Sequence, residues 1–180
     1  MTITKSNLLS ESMLMLLFYI KNDRYALESQ RVVEVVPKVV LKTLHHAPDY
    51  IAGVFNYRNR LVPVIDLCRL IQGTPCRPLF SSRIILVNYQ SHNDNSLTGS
   101  RYHTQTQEAN ASQPSHILGL MAERVTDIFR KQETEFFVTG IKVNTAPYLG
   151  EMINDAQGMI QCLQLDNILP ERERTLLLPQ

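Results

Sequence analysis

Apolar runs about as long as a β-strand recur along this chain, and each is closed by turn chemistry. Leu14–Ile20 is followed by Lys21-Asn22-Asp23-Arg24, and Arg24–Leu27 reads as its return strand, making a hairpin. Val54–Tyr57 and Leu61–Leu67 flank the polar Arg58-Asn59-Arg60, a second hairpin. Pro63 cannot donate a ladder hydrogen bond, which predicts an edge strand or a bulge there. Ser82–Tyr89 holds Ile84, Ile85, Leu86 and Val87 in a row, as in a strand buried on both faces. His116–Met121, Val125–Phe129, Tyr148–Met152 and Met159–Leu165 continue the series. Gly119 is expected to mark a bulge, and Asp155–Gly158 a turn. Phe136–Val143 reads as strand or loop. The total is about ten short strands, which points to a mainly β barrel or sandwich.

Other segments break the pattern. In Glu28–Val36, Val32, Val35 and Val36 recur at helical spacing before Pro37, which predicts a short helix. Val39–Leu44 is a strand candidate and His45–Asp49 a loop. Asp66–Ile71 reads as one helical turn capped by Asp66 and ended by Gly73 and Pro75. Asp166 is expected to cap a last short helix through Leu169. Residues 90–115 contain no Val, Ile or Phe and are rich in Ser, Asn, Gln and Thr. Such a stretch cannot bury enough apolar area to offset its ordering entropy and reads as a long disordered loop. The expected organisation is a flexible tail over 1–12, one folded unit over 13–170 and a C-terminal tail over 171–180.

Lys and Arg total 18 and Asp and Glu 17, so the formal net charge is +1. That balance gives no general reason to bind nucleic acid or an anionic membrane. Met13–Ile20 is too short to span a bilayer and runs straight into charge without a cleavage site. A cytoplasmic location without membrane insertion is expected. The three cysteines, Cys68, Cys76 and Cys162, are odd in number and lack paired spacing. Free thiols in a reducing compartment are therefore expected, without a disulfide or a zinc site.

The chain has no phosphate-cradling glycine loop, no metalloprotease helix and no nucleophile elbow. His45 and His46 are adjacent, and in extended backbone they point to opposite faces. Cys68 beside Asp66 reads as a packed residue next to a helix cap, not a nucleophile. No catalytic, cofactor or metal set emerges, so an enzyme is not expected. Residues 56–83 hold five arginines against one acid, Asp66. With few aromatics to stack on bases, that bias fits protein contact better than nucleic acid.

The stretch from Gly53 to Leu67, Gly-Val-Phe-Asn-Tyr-Arg-Asn-Arg-Leu-Val-Pro-Val-Ile-Asp-Leu, closely resembles the CheW family of chemotaxis coupling proteins. The likeness continues in Val32-Val33-Glu34-Val35, Pro48-Asp49-Tyr50-Ile51, Leu118-Gly119-Leu120 and Glu123-Arg124-Val125, and covers about residues 14–169. The resemblance implies two packed, five-stranded SH3-like β-barrels with a few short helices. It implies an adaptor without cofactors that couples the cytoplasmic tip of a methyl-accepting chemoreceptor to the regulatory domain of a CheA-type histidine kinase. By position it places Glu34, Gly53, Asn56 and Arg58 at the partner-contact region, with Tyr57 and Asn59 beside them.

Each of these residues has a plainer explanation: turn geometry for Gly53 and Asn56, a solvated face for Glu34 and Arg58. Tyr57 stands where the family usually has Leu and Asn59 where it has Gly. Asn tolerates positive φ nearly as well, so the turn is expected to survive. These departures and the long 90–115 segment suggest a coupler of a specialised array, of the surface-sensing (Wsp-type) or pilus type. The rival reading is a free-standing sensor domain holding a small ligand between its barrels.

Overall fold

The structure is a computed structural model that describes residues 12–90, 116–132, 135–137 and 145–178. Of the loop expected over 90–115 and the tail expected over 1–12, residues 91–115 and 1–11 lie outside the described residues. Ser12 already belongs to a strand.

Among the described residues, eleven strands form two sheets. The first contains β1 (Ser12–Ile20), β2 (Asp23–Glu28), β8 (Arg124–Gln132), β9 (Phe136–Phe137), β10 (Leu149–Asp155) and β11 (Gly158–Leu163), in the order β8-β1-β2-β11-β10-β9. The second contains β3 (Val32–Pro37), β4 (Ile51–Tyr57), β5 (Arg60–Asp66), β6 (Arg83–Tyr89) and β7 (His116–Ala122), in the order β3-β6-β7-β5-β4. Each sheet has one parallel pairing, β2 with β11 and β5 with β7.

The unbroken apolar runs are explained by two-sided burial. On β1, Leu16, Phe18 and Ile20 enter the large core shared with the second sheet. Met15 and Leu17, on the other face, join Ala26, Ile153, Ile160 and Cys162 in a smaller core. On β6, Ile84 to Val87 are all 0% exposed. Alternating residues point to opposite faces, so a strand wedged between two apolar layers carries no polar residue at either parity.

Several expectations fail for identifiable reasons. Glu28–Val36 is a 3-10 turn (Ser29–Arg31) followed by β3, not a helix. Val32 and Val36, four residues apart on the same face of the pleat as Glu34, pack toward the core while Val33 and Val35 face out, and β-branched residues suit that pleat. Val39–Leu44 forms no strand, only one bridge between Lys42 and Val54. β5 lies inside its sheet, not at an edge. Pro63 is tolerated there because the ladder to β7 begins only at Val64. Gly119 marks a close approach, not a bulge: a Cβ there would meet Ile84 and Val64 at 3.0 Å. Asp166 is not at the N-cap position, which Gln164 takes. It sits within a 3-10 turn (Leu165–Asn167) and pairs with Arg31 at 2.8 Å. The expected C-terminal tail contains a helix, α2 (Glu171–Leu177), with Glu171 and Glu173 in its first turn, where acids suit the dipole.

The first helix behaves as its sequence suggests. In α1 (Leu67–Gln72) the Asp66 carboxylate accepts from Arg69 N, and Gly73 takes the left-handed conformation that ends it. That reversal brings Cys76 back to Cys68, and the two are disulfide-bonded. The expectation of three free thiols is therefore wrong, and the inference of a reducing compartment loses its footing. Only Cys162 is free, and burial pushes its thiol pKa up to about 12.

Glu123 joins the two sheets. Wholly buried between β7 and β8, its carboxylate accepts from Lys21 N in the β1–β2 turn (3.1 Å) and from Arg77 N, Nε and a terminal nitrogen (3.0, 2.9 and 2.7 Å). The Arg77 hydrogen bonds hold its pKa at about 2.

Candidate functional site

The β4–β5 hairpin organises the candidate site. Its tip has Arg58 at φ 49° and Asn59 at φ 64°, the left-handed pair of a tight hairpin turn, so Asn59 does adopt the backbone for which Gly is usual. Asn56 Oδ1 accepts from Asn59 N at 2.9 Å and closes the turn. Gly53, at the far end of β4, has φ 140°, and a Cβ there would stand 2.5 Å from Lys42 O. Gly53 thus lets Lys42 pair with Val54 of β4, and Asn56 builds the tip. Both have turn-building roles of their own.

Tyr57 and Arg58 do something different. β3 and β4 are the two ends of the second sheet's strand order, and the sheet curls until they face each other. Across that seam the Tyr57 hydroxyl donates to Glu34 Oε2, and Arg58 donates to the same oxygen at 3.1 Å. The Arg58 guanidinium also lies over the Tyr57 ring, 4.9 Å from its centroid, and Phe55 meets that ring edge-on at 6.4 Å. The hydrogen bond to Glu34 raises the Tyr57 pKa, so the phenol stays protonated and remains a donor. The Arg58 side chain is still 73% exposed and that of Glu34 41%. Glu34, Asn56, Tyr57, Arg58 and Asn59 therefore gather at one tip, and Gly53 lies away from it.

A second surface lies on the return arm of the same hairpin. A groove of about 930 Å³ is lined by Leu44, Leu61, Val62, Ile117, Leu176 and Leu177 among others. Leu61 is 73% exposed and Leu176 66%. The signal for it in the sequence is the apolar run Leu176-Leu177-Leu178, close behind the charged stretch Glu171–Arg174.

Among the described residues, the one cluster of potential metal ligands is Asp66, Cys68 and Cys76. Its sulfurs are bonded to each other, and its carboxylate accepts from Arg69 N and Cys76 N. The described residues contain no helix long and apolar enough to cross a membrane. What the arrangement offers is contact surface: a polar, aromatic-backed tip and an apolar groove.

A search of curated proteins gives no significant match. Among solved structures, the fold is similar to the crystal structure of scaffolding protein TtCheW from Thermoanaerobacter tengcongensis. The TM-score is 0.66 at 22% identity, over 89% of each chain. The CheW-like domain family matches residues 14–173. The chain belongs to the CheW-like domain family and is a non-catalytic coupling adaptor of chemosensory arrays.

Proposed function

We propose that this chain bridges the cytoplasmic tip of a methyl-accepting chemoreceptor and the regulatory domain of a CheA-type histidine kinase, acting where such receptor arrays assemble. The observation that carries this reading is one hairpin bearing two unlike surfaces, because a bridge needs two contacts that can be filled together. The apolar groove beside Leu61 and Leu176 suits the apolar stripe of a helix, and takes the receptor. The tip of Glu34, Tyr57 and Arg58, a partly exposed ion pair backed by an aromatic ring, suits a polar, orientation-specific contact with the kinase. Asn56 and Asn59 build that tip, and Gly53 shapes the far end of the same strand.

Two variants test the division. Arg58→Ala should weaken kinase binding about tenfold or more and leave receptor binding within about twofold. Leu176→Glu should do the reverse. Both side chains are largely exposed, so both variants should melt like the parent. If either variant leaves both affinities unchanged, that surface is misassigned.

A further inference from the structure

Two segments outside the hairpin and α2 form the walls of another groove, of about 530 Å³. One is the run after β3, from Lys38 to Lys42. The other is the loop before β6, from Cys76 to Arg83. Ala52 of β4 and Met121 of β7 lie between them. Val40, on one wall, is 95% exposed, and Phe80, next to Leu79 on the other, is 105% exposed. An aromatic side chain carries about 150–250 Å² that burial would remove from water, so holding it fully in solvent forgoes a large gain.

Phe80 is not exposed because its loop is slack. Cys76 is bonded to Cys68, and its N–H donates to Asp66 at 3.0 Å. Arg77 grips Glu123. Ser82 Oγ accepts from Leu79 N at 3.1 Å and donates to Arg77 O at 2.8 Å. Ser81 Oγ donates to Glu123 O at 2.9 Å, and Arg83 donates to the carbonyl of Phe80 itself. The backbone on both sides of the ring is fixed, so a partner meeting it has little loop ordering left to provide.

Charge indicates what that partner is. Residues 38–42 and 76–83 contain Lys38, Lys42, Arg77 and Arg83 and no Asp or Glu. Arg77 is occupied by Glu123, and Arg83 by backbone carbonyls. Lys38 lines the groove and is exposed, and Lys42, next to the lining residue Leu41, is exposed as well.

We propose that this groove is a third docking surface, and that its occupant is a peptide segment of a partner protein with an apolar anchor flanked by carboxylates. The anchor packs against Phe80 and Val40, and the carboxylates meet Lys38 and Lys42. A concave site of this size takes a side chain and its neighbours, whereas a flat lipid surface would leave the groove empty.

The test uses the isotope-labelled full chain and a synthetic peptide with a central Leu-Phe pair and three glutamates on each side. Amide shifts should cluster in residues 38–42 and 76–83. A charge-reversed peptide, with lysine for each glutamate, should produce none. Phe80→Ser should weaken binding about tenfold or more and leave the melting curve unchanged, because the ring touches little of its own fold. Lys38→Glu with Lys42→Glu should weaken it at least as much and remove its salt dependence. No binding, equal binding of the reversed peptide, or full affinity in Phe80→Ser would overturn the proposal. So would Phe80-dependent pelleting with phosphatidylserine vesicles in the absence of peptide binding, which would make this a membrane contact. Neither receptor nor kinase is present, so this result and that of the coupling reading stand apart.

Discussion

Glu123 shows how a single residue can govern the fold. Its ordinary carboxyl pKa is near 4.5 and its folded value about 2, so the folded state favours the ionised form. Stability from that preference is complete above about pH 4.5 and is lost as pH falls toward 2. Asp155, held at about 2 mainly by its hydrogen bond to Arg24, loses its share in the same window. For Glu123 the shift corresponds to at most about 3 kcal/mol. Urea midpoints should therefore hold from pH 7 to about 5 and drop steeply below it. Glu123→Gln should be less stable at pH 7 by about 2–3 kcal/mol and show a shallower acid slope. An unchanged slope in that variant would remove Glu123 from the account of acid sensitivity. At the same scale, the Tyr57 hydroxyl makes a hydrogen bond to Glu34 that an aliphatic side chain there could not, and so ties β4 to β3.

Among the elements, the β4–β5 hairpin is the one most open to direct test. Gly53→Ala places a Cβ 2.5 Å from Lys42 O at φ 140°, where an L side chain is strained. It should cost about 2–4 kcal/mol by chemical denaturation. Asn59→Gly, at φ 64°, should cost nothing or add a few tenths of a kcal/mol. Equal effects from the two would mean that the strain is not where the backbone places it. The segment 91–115 makes a further prediction. Tyr89 and His116 are register partners across β6 and β7, so a turn of a few residues can join them. Replacing 91–115 with a short Gly-Ser linker should leave the melting temperature within a few degrees, because closure entropy changes by only about 0.6 kcal/mol per doubling of length. A fall of ten degrees or more would show that the segment contributes to the core.

The elements also show what the sequence could reveal. The hairpins, the two-sided burial of β6 and the Asp66 cap were legible because each is local: turn residues, an unbroken apolar run, a capping side chain. β3 resembles a helix in sequence because Val32 and Val36, four apart, share a face in either geometry; only Val35, three from Val32 and on the outward face, tells the pleat from the helix. The Cys68–Cys76 bond was missed because its spacing has meaning only after α1 and Gly73 turn the chain back. The gathering of Glu34 with Tyr57 and Arg58 came from resemblance, since no local pattern places β3 opposite β4. The groove at Leu61 and Leu176 was invisible because it needs α2 folded beside β5.

On the scale of the whole molecule, two β sheets share one core and are joined by the buried Glu123, and one hairpin carries two unlike surfaces. The function proposed for that arrangement is simultaneous occupancy of two partners. A bridge has a concentration signature, because excess adaptor fills each partner separately and splits the pairs it first made. The direct measurement is autophosphorylation of the CheA-type kinase, with receptor present, as this chain is titrated from well below to well above its partners. The account predicts a rise, a maximum near equal stoichiometry and a fall, with the maximum lost in Arg58→Ala. A signal that climbs to a plateau and stays there, in the parent chain, would contradict bridging.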